Sequence, residues 1–158
     1  PRRMSIKTKW LFTALTVALI LVSCNRKVIY HHYEHTSLAG WEKDDTLRFS
    51  VHAAEQRAVV RREIELRITD AYPFRGLNLV VDQTSFPSHI HRRDTLQCDL
   101  IDARGNVHGD GINLHQYRFH LADISINEGD SLSICILHNM KREVLPGIAD
   151  VGVRLTTY

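Results

Sequence analysis

The sequence contains no Cys-x-x-Cys pair, no His-Glu-x-x-His pattern and no Gly-x-Ser-x-Gly elbow. Without the first two there is no preset framework for a structural zinc or for a metalloprotease zinc, which needs three or four converging ligands. Without the third, the sharp turn that exposes a hydrolase serine is missing, and neither Ser125 nor Ser133 gains a case as a nucleophile. The twelve-residue order of an EF-hand calcium loop is lacking too. Along the 158 residues there is no internal repeat and no low-complexity tract. Nor is any apolar run well suited to crossing a bilayer. The longest, the thirteen positions Trp10–Val22, would rise about 20 Å as a helix against roughly 30 Å of hydrocarbon.

That short run has another reading. Lys7 and Lys9 precede it, and Leu21-Val22-Ser23-Cys24 closes it. Charge, apolar stretch and a small residue before a cysteine make a bacterial lipoprotein signal. Cleavage before Cys24 would free its amine and leave its thiol to carry lipid. Two or more acyl chains, at about 0.8 kcal/mol per buried methylene, hold a protein on a membrane where one does so only marginally. The expected organisation is a signal peptide over residues 1–23, a lipidated cysteine with a short tether over 24–27, and a folded domain over 28–158. Losing Arg2, Arg3, Lys7 and Lys9 and no acidic residue turns the formal net charge from +2 into −2. No basic face then remains to neutralise the phosphates of a nucleic acid. The expected partners are the bilayer, through acylated Cys24, and envelope proteins; no cofactor is expected.

From residue 28 onward the pattern is β. Leu47, Phe49 and Val51 alternate with polar residues, as do Ile64, Leu66 and Ile68, then Leu96, Cys98 and Leu100, then Leu132, Ile134 and Ile136, and finally Val151, Val153 and Leu155. Further strands are expected at Val28–Tyr33, Leu77–Val81 and Tyr117–Leu121. Turn signals separate them at Asp70–Pro73, Ser85–Ser88, Arg104–Asn106, Asn127–Asp130 and Pro146-Gly147. The expected fold is all-β, a single antiparallel sandwich of seven to nine short strands, immunoglobulin-like or jelly-roll-like. Ala53–Arg62 is the one stretch that reads as a helical turn or two, although Val59-Val60 equally suits the start of a strand.

Ten histidines tempt a metal reading. His89-x-His91 would place two rings on one side of an extended segment, and His31, His32 and His35 cluster near the tether. Lacking a third convergent ligand, both sets read first as solvated side chains, with metal binding as the alternative for His89 and His91. Asp102 to Asn106 reads as a tight turn, with Gly105 at positive φ, ahead of a cation site. Cys98 shares the phase of Leu96 and Leu100, whereas Cys135 lies opposite Leu132. Two separate thiols fit that phasing better than a disulfide, though a bridge stays open. Trp41 reads as an end plug of the sandwich or as a platform for sugar or protein, and Tyr72-Pro73-Phe74 divides the same way. Trp41, Tyr72 and Phe74 are therefore the candidate interaction residues; no catalytic or metal residue is nominated.

Several of these pieces occur together in one family. Cys24, the tyrosine-bearing strand Val28–Tyr33, Gly40-Trp41-x-Lys43-Asp44-Asp45-x-x-x-Phe49, Asp70-x-Tyr72-Pro73-Phe74-x-x-Leu77, Asp94-Thr95-Leu96, Asp102-x-x-Gly105, His138-x-Met140 and Gly147-Ile148-x-Asp150-Val151-Gly152-x-Arg154-Leu155 together resemble the gliding-motility lipoprotein GldH family of the Bacteroidetes. The resemblance implies a non-enzymatic envelope lipoprotein linked to gliding and type IX secretion machinery, and it carries no catalytic residues with it. The chain departs from the family pattern at His89 and His91 and at Cys98, where an aromatic is usual. Asn25-Arg26-Lys27 is not acidic, which points to a periplasm-facing place on the outer membrane rather than the cell surface. A carbohydrate-binding accessory and an envelope hydrolase with an unrecognised site are the alternatives. Replacing Cys24 with serine is expected to abolish metabolic lipid labelling and to move the protein into the aqueous layer on detergent phase separation; continued labelling of the variant would refute the anchor.

Overall fold

The computed structural model describes residues 26–158. The signal-like segment and Cys24 lie outside the described residues. Ten strands follow in order: β1 (Lys27–His35), β2 (Trp41–Glu42), β3 (Leu47–Val51), β4 (Ala58–Thr69), β5 (Gly76–Phe86), β6 (His91–Asp99), β7 (Leu114–Ile126), β8 (Ser131–His138), β9 (Val144–Leu145) and β10 (Ile148–Thr157). One sheet has the order β1-β10-β4-β7, the other β3-β8-β5-β6, and β2 pairs with β9 in a two-stranded piece. All pairings are antiparallel.

Four of these pairs are nested: β1 with β10, β3 with β8, β4 with β7, β5 with β6. Such nesting is a long hairpin folded over on itself, which is the jelly roll. The alternation that marks strands in the sequence is what fills its core, since Leu47, Phe49, Leu66, Leu79, Ile134, Ile136, Val151 and Leu155 meet between the sheets. Cys98 is buried there and Cys135 lies on the other face, so the two thiols are separate.

Residues 53–57 form no helix. Ala54 donates its N–H to the Asp130 carbonyl, and its own carbonyl accepts from Gly129 N–H. Backbone groups spent on the β7–β8 turn cannot also form a helical ladder, and β4 starts at Ala58.

Two buried charges tie the strands, Arg62 across the layers and Glu65 within one sheet. Val60, Arg62, Ile64 and Leu66 share the inward face of β4, so Arg62 enters the core with 2% exposure. Its Nε donates to the Ala122 carbonyl at 3.0 Å, Nη1 to Gln83 at 3.2 Å and Nη2 to Asp94 at 2.8 Å. The first acceptor comes from a bulge: opposite Val60 and Arg62 stand Ile124 and Leu121, one residue too many. The others lie on β5 and β6, so one guanidinium links both sheets. Burial raises the Asp94 carboxyl, and the bonds and charges of Arg62 and Arg92 together more than reverse this, leaving it below its ordinary value.

Glu65 points the other way, to the outer face, yet its side chain is fully covered. Tyr33 donates its hydroxyl to it, His31 Nε2 sits at 2.7 Å, and Arg118 Nε donates at 2.8 Å. Tyr33 lies flat because its neighbour on β10 is Gly152, where a Cβ would stand 2.7 Å from the ring. Arg67 covers the same ring at 3.9 Å. Burial pushes the Glu65 carboxyl up and its three donors overcome that, so it titrates below its usual range. Tyr33 is pushed up to about 12 by its burial and by Glu65. His31 is thus engaged with Glu65 where simple solvation was expected, while His32 and His35 remain largely exposed.

Removing one member of a buried charged pair leaves the other unpaired, at about 3–5 kcal/mol when fully enclosed. Because Asp94 is partly exposed, Arg62→Ala is expected to cost somewhat less, about 2–4 kcal/mol in urea unfolding, against no more than about 0.5 kcal/mol for exposed Arg57→Ala.

Candidate partner-binding end

Following the strands separates the two ends of the sandwich. β1, β4 and β8 begin, and β3, β5, β7 and β10 finish, at the end where Lys27 stands opposite Thr157. The connections there are short: 52–57, 87–90 and 127–130. The opposite end carries the long ones, 36–46, 100–113 and 139–147, together with the shorter 70–75, and β2 and β9 are set within two of the long ones. Ten residues of β10 span about 30 Å between the ends.

Trp41 anchors the long-loop end. Its β2 backbone pairs with Leu145 of β9, joining loops 36–46 and 139–147. The side chain has no exposure, and Nε1 donates to the Asp45 carbonyl at 2.8 Å. His138, at the end of β8 and also buried, packs edge-on at 5.2 Å between ring centroids. His138 Nε2 donates to the Trp41 carbonyl at 3.2 Å, and Nδ1 accepts from Met140 N–H at 3.5 Å. This neutral tautomer satisfies both nitrogens; a second proton would confront the Met140 N–H. Burial lowers the His138 pKa, outweighing the bond to the Trp41 carbonyl.

The third loop docks on the same structure. Tyr72 is buried, donates to the Gly76 carbonyl at 2.9 Å and meets Phe74 edge-on at 5.5 Å. Gly147, with φ of +82°, lets loop 139–147 pass so close to Ala71 and Tyr72 that a Cβ would collide with the Tyr72 backbone. Its carbonyl accepts from Thr69 N–H. Of the three candidate interaction residues, Trp41 and Tyr72 are therefore internal and Phe74 is half-exposed. Phe74 and Met140 floor a concavity of about 630 Å³, with Asn78 and Asn139 beside them and Lys141 and Arg142 on its rim. Asn78 and Asn139 are joined through their backbones, and the Met140 sulfur accepts from Asn78 N–H.

Loop 100–113 carries the Asp102 turn. Asp102 accepts from the N–H groups of Arg104 and Asn106 and from the Asn106 side chain, with Gly105 at φ of +88°. His89 and His91 share no partner: His89 packs on Phe86, and His91 approaches Asp82 and Thr84. Among the described residues no three His, Cys, Asp or Glu side chains are placed to hold a metal. Sequence reading quoted His138 within the family pattern but not as a core residue, although its inward phase with Leu132, Ile134 and Ile136 was the available signal.

The residues at this end are those of a family pattern. The model of the GldH lipoprotein family matches residues 28–155. The chain belongs to the GldH lipoprotein family. It is 25% identical over 156 residues to the gliding motility lipoprotein GldH of Flavobacterium johnsoniae, covering 89% of this chain and 92% of that one. Among solved structures, a 4-O-methyl-alpha-glucuronidase with specificity for decorated arabinogalactans is similar at TM-score 0.49 and 13% identity, over 85% of this chain and 18% of that one. Eiger TNF from S. frugiperda is similar at TM-score 0.33 and 14% identity, over 84% of this chain and 94% of that one. Neither likeness bears on function. GldH membership makes the chain a lipoprotein associated with the outer membrane of the cell envelope.

The pKa of His138 sets an acid limit. Because its folded value lies below the 6.5 of a free imidazole, the unfolded chain binds more protons as pH falls past 6.5. Its stabilising contribution is complete above that pH and is lost below it, at no more than about 1.4 kcal/mol per pH unit. Glu65, also depressed, adds a second loss below about pH 4.5. Melting temperature should therefore decline from pH 6.5 downward, and His138→Gln should flatten the decline between pH 6.5 and 5; an unchanged slope would assign it elsewhere.

Proposed function

We propose that the protein is an anchored adaptor of the gliding and type IX secretion machinery, held on the outer membrane through acylated Cys24, facing the periplasm, and binding an envelope protein at its long-loop end. The observation that carries this reading is the convergence at that end of residues on which the family resemblance rests. Gly40, Trp41, Asp45, Tyr72, Phe74, His138, Met140 and Gly147 come from three separate loops and meet there. Their polar groups are spent on one another, as befits a support rather than a catalytic site. Trp41 and Tyr72 act from beneath, and Phe74 with Met140 offers apolar surface between amides and two cations. An apolar centre with a polar rim is the anatomy of a protein-binding patch. Asn25-Arg26-Lys27, with no acidic residue, supports the periplasmic orientation. The carbohydrate alternative relied on Trp41 or Tyr72 lining an open face, and both are buried.

A photo-crosslinking residue at position 142 should yield a discrete adduct in native envelopes of the source bacterium. Phe74→Ala with Met140→Ala should remove that adduct while leaving the membrane-bound amount unchanged. An adduct indifferent to the pair, or formed equally from position 120 on the outer sheet face, would overturn the assignment.

A further inference from the structure

The short-loop end has a surface of its own. Val28, Ile29, Val59, Phe86, Ile90 and Tyr158 stand there between 37 and 64% exposed. They come from both termini, from the outer face of β4 and from the β5–β6 hairpin. Between β1 and β3, on opposite sheets, a groove of about 310 Å³ opens at the same end, floored by Tyr30, Val51, Ile126 and Leu132. Arg26 lies over the Tyr158 ring at 5.2 Å, and Tyr158 donates its hydroxyl to Asp123. Apolar bodies with polar tips are thus arranged as they are at membrane interfaces.

The chain leading here decides what covers this surface. Only Asn25 and Arg26 separate Cys24 from Lys27, the first residue of β1, and three extended residue steps reach about 10 Å. If Cys24 holds the lipid, the end carrying Lys27 is confined to the headgroup layer, where no partner of ordinary thickness fits between. We infer that the short-loop end docks on the bilayer surface, with Val28, Ile29, Val59, Phe86, Ile90 and Tyr158 immersed at the interface. The apolar side chains carry the attraction. Arg61, Arg92 and Arg93 are paired with Glu63, Asp94 and Asp82, and Arg26, Lys27 and Arg57 are balanced in number by Glu55, Asp123 and Glu128, so docking on zwitterionic lipid should match docking on anionic lipid. The long-loop end then stands about 30 Å out, free for its partner. The inference rests on the lipid-anchor reading, and the test separates the two.

Full-length lipidated protein carrying Cys135→Ser is reconstituted into phosphatidylcholine vesicles, with an environment-sensitive fluorophore attached through Ile90→Cys, Val59→Cys or, as controls, Leu38→Cys and Ile112→Cys. The controls sit in the long loops and are highly exposed. Probes at positions 90 and 59 should emit to the blue of the controls and be quenched about threefold or more strongly by spin-labelled headgroups. Vesicle-bound protein whose probes at 90 and 59 report water, as the controls do, overturns the docking while leaving the anchor intact. Shielding at 90 and 59 found only in native envelopes also overturns it, making this end a protein interface. Protein that fails to stay with the vesicles overturns the anchor reading and the docking with it.

Discussion

A carboxylate with no access to water must have partners, and Glu65 finds them on the strands at both edges of its sheet. Tyr33 and His31 reach it from β1 across β10, and Arg118 reaches it from β7. Burying that charge unpaired would cost several kcal/mol, so the register of β1 is specified more tightly than edge-strand pairing alone would do. A slip of one residue would swing Tyr33 to the inner face and leave Glu65 without two donors. Gly152 belongs to the same constraint, since any side chain there would lift the Tyr33 ring off the sheet. With β1 held in register, the end of the sandwich at which Lys27 enters is fixed.

The two ends then acquire different physics. Where β1 begins, loops are short and apolar side chains are exposed around a shallow groove. At the far end, three loops are stitched by β2–β9, by the Trp41–His138 pair and by the close passage of Gly147 over Tyr72. An enclosed tryptophan of this kind is worth about 3–5 kcal/mol against truncation, and it holds parts of the chain that are a hundred residues apart in sequence. Rigid loops lower the ordering cost of binding a partner, in keeping with the adaptor role proposed for this end. A core closed by Arg62 from one sheet to the other adds to that rigidity.

Local alternation was sufficient to read most strands, because a half-buried strand leaves a period of two wherever it lies in the fold. Ile64, Leu66 and Ile68, then Leu132, Ile134 and Ile136, and Val151, Val153 and Leu155 all face the core as their spacing implied. The same argument separated Cys98 from Cys135, and turn chemistry placed Gly105 at positive φ. It failed where the deciding partner is distant. Ala53–Gln56 is helix-friendly in composition, but Gly129 and Asp130 took the Ala54 backbone. His31 reads as a surface histidine until Glu65, thirty-four residues on, is seen beneath it. Trp41 and Tyr72 could be listed as packing or binding residues, and only their exposure separates the two.

By itself the sequence determined an all-β chain, its inward and outward phases, its turns, and a family pattern whose pieces run from Val28 to Leu155. Each of these depends on residues close together in the chain, where stereochemistry and spacing suffice. Tertiary structure alone decided that the sandwich is a jelly roll, that Arg62 crosses the core to Asp94, and that Trp41, Tyr72, His138 and Gly147, far apart in the chain, meet at one end. Those outcomes depend on which strand pairs with which, and many pairings bury the same apolar faces equally well. The choice among them is made by long-range contacts, such as Tyr33 over Gly152 and Trp41 against His138, whose partners no local pattern names.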